Sequence, residues 1–106
     1  MEFQIVKNEI RDNIEIALRT AGYQKAKNIG QNTQLNFVKP LSQSGYPRFH
    51  IYLKESKTDY IFTLHLDQKR PIYKGAPAHS GEYNNKVVIE EAERVKQKLL
   101  VSDING

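Results

Sequence analysis

From Arg48 to Asp67 the chain reads RFHIYLKESKTDYIFTLHLD, two runs of alternating apolar and polar residues around a polar turn. A strand points successive side chains to opposite faces, so each run can bury only one of its faces. Antiparallel strands pair residues whose numbers add to a constant, and few constants keep both apolar sets together. With Phe49 opposite Leu66, Ile51 opposite Leu64 and Leu53 opposite Phe62, every one of these side chains shares a face. A slip of one residue groups Phe49, Ile51 and Leu53 with His65, Thr63 and Ile61, and strands aliphatic and aromatic groups in water at ~1.5 to 3 kcal/mol each. The first register is therefore expected. On the opposite face it sets Arg48 across from Asp67, His50 across from His65 and Tyr52 across from Thr63.

The flanking sequence supplies the rest of a single domain over residues 1–106. Phe3, Val6, Ile10, Ile14, Ala17, Leu18 and Ala21 fall at steps of three and four, which predicts a helix over about 3–21 that ends at Gly22. Leu35 and Phe37 alternate with Gln34, Asn36 and Val38, which predicts a strand over about 33–39, before the strands at about 48–54 and 60–67. A loop over 68–84 follows, longer than the usual ~4 to 6 residue connection. Val88, Ala92, Val95 and Leu99 then mark a helix over about 86–100, with Asn84 or Asn85 able to cap it. In this helix Glu90, Glu91 and Glu93 precede Arg94, Lys96 and Lys98, an order that complements the helix dipole without any partner.

Two helices with one apolar stripe each need the apolar sheet face as a partner. The expected fold class is α+β, α-β-β-β-α, a three-stranded antiparallel sheet with both helices packed on one face. The polar face stays open, and the first and third strands form exposed edges through which a sister chain could pair.

A length of 106 residues allows a core without metal or disulfide staples, and the absence of cysteine rules out disulfides, a thiolate nucleophile and cysteine zinc sites. The segment MEFQIVKNEIRDNIEIALRT is unlike a signal peptide, and no apolar run approaches the ~18 residues of a membrane span, so a cytoplasmic protein without membrane association is expected. Lys and Arg number 16 against 12 Asp and Glu, a net charge of +4 that suits a polyanion partner. There is no GxxxxGK[ST] or GxGxxG loop, and no cofactor is expected.

The polar face is where chemistry is expected. His50, His65 and His79 are candidates for general acid and base, with Asp67 able to orient His65 or His79. Arg48, Tyr52, Lys69, Arg70, Tyr73 and Lys74 are candidates for holding a phosphate or base. Two histidines with cations suit a ribonuclease, which needs neither metal nor covalent intermediate. A metal-dependent hydrolase is an alternative, with His50, His65, His79 and Asp67 or Glu82 as ligands in no recognised zinc spacing. Ser80, between His79 and Gly81, lacks the strand-turn-helix setting of a nucleophile elbow.

In element order, and in FHIY, the chain resembles double-stranded RNA-binding domains and the small messenger-RNA interferase toxins built on that fold. The toxins use a histidine in the sheet, and His50 is the matching position. The resemblance implies RNA as partner. Where those domains open their second helix with lysines, NNKVVIEEAER has one lysine followed by acids, so duplex contact is not expected through this helix. The function expected is RNA binding or RNA processing by the polar face and the basic loop. The alternative is a protein-interaction module without chemistry, an inhibitor or regulator of a nucleic-acid enzyme, since Tyr46, Tyr52, Tyr60, Tyr73 and Tyr83 with arginine make good contact surface.

Overall fold

The computed structural model describes residues 1–26, 35–68 and 85–100. Its elements are β1 (Glu2–Val6), a 3-10 turn at Lys7–Glu9, α1 (Ile14–Thr20), β2 (Gln24–Lys25), β3 (Leu35–Pro40), β4 (Arg48–Glu55), β5 (Asp59–Asp67) and α2 (Asn85–Leu99). All strands pair antiparallel in the order β1-β5-β4-β3-β2. The class is α+β as expected, but the sheet has five strands rather than three. A strand also precedes the first helix, so the double-stranded RNA-binding element order is not reproduced.

The β4–β5 hairpin takes the expected register: Phe49 pairs Leu66, Ile51 pairs Leu64, Leu53 pairs Phe62, and on the other face His50 pairs His65 and Arg48 pairs Asp67. Its turn is closed by the Ser56 amide, which donates to the Asp59 carbonyl at 2.8 Å, and by the Asp59 amide, which donates to the Ser56 hydroxyl at 3.0 Å. In β3, Leu35 pairs Leu53 and Phe37 pairs Ile51, which extends the apolar face, while Asn36 pairs Tyr52 and Val38 pairs His50 on the polar one.

The helix expected over 3–21 is the main departure. Phe3 and Ile5 are buried while Glu2, Gln4 and Val6 are exposed, the period of a strand, and Phe3 pairs Phe62 with the rings stacked at 4.8 Å. The apolar residues of this stretch fit both periods over so short a span. The choice falls to the outer edge of β5, whose amides and carbonyls β1 satisfies along its length. Among the described residues the edges are consequently β2 and β1, not β3 and β5.

The helix itself starts at Ile14 because the Asn13 side chain caps it, accepting from the amides of Glu15 (2.9 Å) and Ile16 (3.2 Å). It ends in a Schellman motif: the Tyr23 amide donates to the Leu18 carbonyl and the Gly22 amide to the Arg19 carbonyl, with Gly22 at φ 101°. Ala17, Leu18 and Ala21 from this helix join Val88, Ala92, Val95 and Leu99 of α2, Phe3, Ile5 and the apolar faces of β3, β4 and β5 in one core. Both helices thus bury their stripes on the same side of the sheet.

α2 also buries a polar cluster under the sheet edge. Glu91 is 6% exposed. Its carboxylate accepts from the Tyr23 hydroxyl at 2.6 Å and from Arg94 Nε and Nη2, both at 2.8 Å, with Lys39 Nζ at 3.9 Å. Arg94 Nη2 donates onward to the Ala21 carbonyl at 2.7 Å, so one guanidinium ties α2 to the end of α1. The charge order on α2 had a sufficient account in the helix dipole; this inward carboxylate exceeds it.

Candidate functional site

Alternation along β3, β4 and β5 brings Asn36, Arg48, His50, Tyr52, His65 and Asp67 onto the sheet face that neither helix covers. Asp67 Oδ2 lies 3.3 Å from Arg48 Nε and 3.3 Å from His50 Nδ1. The other ring nitrogen of His50, Nε2, lies 3.0 Å from Asn36 Oδ1. A polar chain, Arg48–Asp67–His50–Asn36, therefore runs across three strands. Its inner members are well shielded, with the His50 side chain 12% exposed and Asn36 7% exposed.

Planar groups stack along the same face. The His50 ring lies over Tyr52 with centroids 4.3 Å apart at 29°, and Tyr52 meets the His65 ring edge-on at 5.8 Å and 79°. The Arg48 guanidinium sits over the Tyr46 ring at 4.8 Å. These contacts fix rings that would otherwise rotate, because cross-strand and diagonal neighbours are within reach of aromatic side chains.

His50 and His65 face each other in register but divide the work differently from the expectation. Asp67 pairs with His50, and the ring nitrogens of His65 have no hydrogen-bond partner among the described residues. Both His50 nitrogens face oxygens. A ring donating to both is the imidazolium; a neutral ring donates to one of them, and the tautomer decides which. With a protein oxygen within hydrogen-bond range of each nitrogen, a ligand reaches a His50 nitrogen only in competition with Asp67 or Asn36.

The electrostatics follow from the same contacts. Asp67's carboxyl is held below the usual carboxylate range, chiefly by its hydrogen bond with His50 and further by Arg48, against the opposing effect of burial. His65 is lowered from the ordinary histidine value by partial burial first, then by the positive charges of the Met1 amine and His50, with Asp67 acting in the opposite direction.

Of the candidate residues, Arg48, Tyr52, His50, His65 and Asp67 come together. His79, Lys69, Arg70, Tyr73, Lys74 and Glu82 lie outside the described residues. Among the described residues no group of His, Asp and Glu side chains is arranged to hold a metal ion. Asn36 was not singled out as a site residue, although asparagine is depleted in strands and one on the polar face of β3 carries a signal. Tyr46, which the sequence offers as contact surface together with arginine, carries the Arg48 guanidinium over its ring.

Comparison with protein-family models, with curated proteins and with solved structures gives no match. Among the described residues no helix is long and apolar enough to cross a membrane.

Proposed function

We propose that the polar sheet face binds single-stranded RNA by stacking its bases, and that it binds without cutting. The observation that carries this reading is the run of fixed planar groups, with His50 over Tyr52, His65 at the edge of Tyr52, and Arg48 over Tyr46. Unpaired bases stack on aromatic rings and on guanidinium planes, whereas a duplex hides its base faces. The net charge of +4 adds attraction for a phosphate backbone.

The absence of cutting is argued from His50. A general base needs a nitrogen free to take the proton of the attacking group, and both His50 nitrogens are engaged by Asp67 and Asn36. His65 is exposed, but Asp67 does not orient it. The network is better suited to locking the His50–Tyr52 stack in place than to moving a proton.

The test is fluorescence anisotropy with a labelled single-stranded RNA, its duplex form and the matching single-stranded DNA, at 50 and 200 mM salt. The proposal expects the single strand to bind over the duplex, with affinity falling as salt rises. Absence of binding, or duplex preference, overturns it and turns attention to the protein-interaction alternative, which uses the same tyrosines and arginine.

A further inference from the structure

The sheet ends on two unlike edges. β2 is two residues long, and its Lys25 is paired with Glu15 of α1 at 3.1 Å, a charged and short edge of the kind that resists further pairing. β1 is five residues long, with one charged residue, Glu2, at its start.

Its pairing with β5 determines which backbone groups are left over. The Leu64 amide donates to the Met1 carbonyl at 2.7 Å and the Lys7 amide to the Thr58 carbonyl at 2.8 Å, so the odd-numbered residues turn towards β5. Strand alternation then turns the amides and carbonyls of Glu2, Gln4 and Val6 outward. Among the described residues no strand pairs with this side of β1, and all three side chains are exposed.

We propose that this edge pairs antiparallel with the same edge of a second copy of the chain, across a two-fold axis through Gln4. Parity requires outward residues to meet outward residues. With Gln4 opposite Gln4, Glu2 falls opposite Val6 and Val6 opposite Glu2, so every outward group of β1 finds a partner. Shifting the axis to Phe3 or to Ile5 leaves part of the strand unpaired. The chosen register sets no like charges face to face, and it brings Phe3 beside Ile5 of the second copy on the helix side of the sheet. The interface is isologous, as a closed dimer requires, and it joins two sheets into one. It is independent of the RNA reading, since it uses the far side of β5 from His50.

Gln4 makes the proposal testable, because it would meet itself. Its amide points away from β5, so Gln4→Pro removes an interface hydrogen bond and leaves the pairing with β5 intact, as proline is tolerated on such edges. Light scattering coupled to size exclusion is expected to give a dimer for the wild type and a monomer for Gln4→Pro, with the far-UV circular dichroism of the folded chain retained. Gln4→Lys and Gln4→Glu are each expected to raise the dimer dissociation constant several-fold, and an equimolar mixture of the two to lower it again, since opposite charges then face each other. A monomeric wild type, a dimeric Gln4→Pro, or a mixture no tighter than its parents overturns the proposal.

Discussion

Asp67 holds His50, its diagonal neighbour, at 3.3 Å, and not His65, its nearer neighbour on its own strand. The carboxylate therefore stabilises one histidine by contact and influences the other only through space. His65 should titrate below the ordinary histidine value of ~6.5. His50→Gln removes a like charge and should move the His65 midpoint up. Asp67→Asn removes the one favourable charge and should move it further down. Imidazole proton shifts followed by NMR across pH 4 to 8 check both signs, and a rise in Asp67→Asn would show that the charges are coupled differently.

The same contact makes Asp67 a source of acid sensitivity. Its folded-state carboxyl ionises at lower pH than the unfolded one, so the stabilisation it contributes is present above the unfolded carboxylate value of ~3.9 and is lost as pH falls through the lower, folded value. Asp67→Asn should reduce the loss of thermal stability on acidification. Melting temperatures of the two proteins are expected to converge towards low pH; curves that remain parallel would mean that Asp67 contributes nothing that depends on its charge.

Glu91 should have the larger effect. Burial alone pushes its carboxyl up, yet hydrogen bonds from Arg94 and Tyr23 and the charges of Lys39 and Arg94 outweigh burial and hold it below the ordinary glutamate range. Its contribution is likewise full above that range and lost below it. Glu91→Ala leaves Arg94, Lys39 and the Tyr23 hydroxyl without their common acceptor. Breaking a buried pair costs about 3 to 5 kcal/mol, with the lower end expected here because the Arg94 side chain is 34% exposed. Tyr23→Phe removes one hydrogen bond to a charged group, about 1.5 to 3 kcal/mol. Urea unfolding at neutral pH measures both, and a Glu91→Ala variant as stable as wild type would show that the cluster is only tolerated.

How much of this was legible in the sequence depended on how many residues voted for each element. The β4–β5 register rested on Phe49, Ile51, Leu53, Phe62, Leu64 and Leu66 together, and a one-residue slip would have exposed several of them, so the pairing of His50 with His65 followed from burial alone. The N-terminal stretch offered only Phe3 and Ile5 against Phe3 and Val6, too few to separate a strand from a helix. The deciding factor, the unpaired edge of β5, is visible only in three dimensions. In the functional site, register could place His50, His65 and Asp67 on one face, but which histidine takes the carboxylate depends on rotamers and on Asn36 behind it. Glu91 and Tyr23 lie far apart in the chain, and no local pattern connects them.

The stacking face yields the prediction that separates binding from chemistry. If Tyr52 supports a base, Tyr52→Ala should weaken single-stranded RNA binding by about 1 to 3 kcal/mol with little change in the salt dependence, because a ring carries no charge. Arg48→Ala should weaken binding and also reduce the slope of log affinity against log salt by about one, the signature of a lost phosphate contact. A retained slope in that variant would assign Arg48 to stacking on Tyr46 and pairing with Asp67 alone. Gel analysis of the same RNA after prolonged incubation should show it intact with the wild type and with His65→Ala. Cleavage by the wild type that His65→Ala abolishes, at unchanged melting temperature, would instead make His65 a catalytic residue and this face an active site. The two outcomes differ in what happens to the RNA, not in whether it binds, so affinity measured without inspection of the strand cannot decide between them.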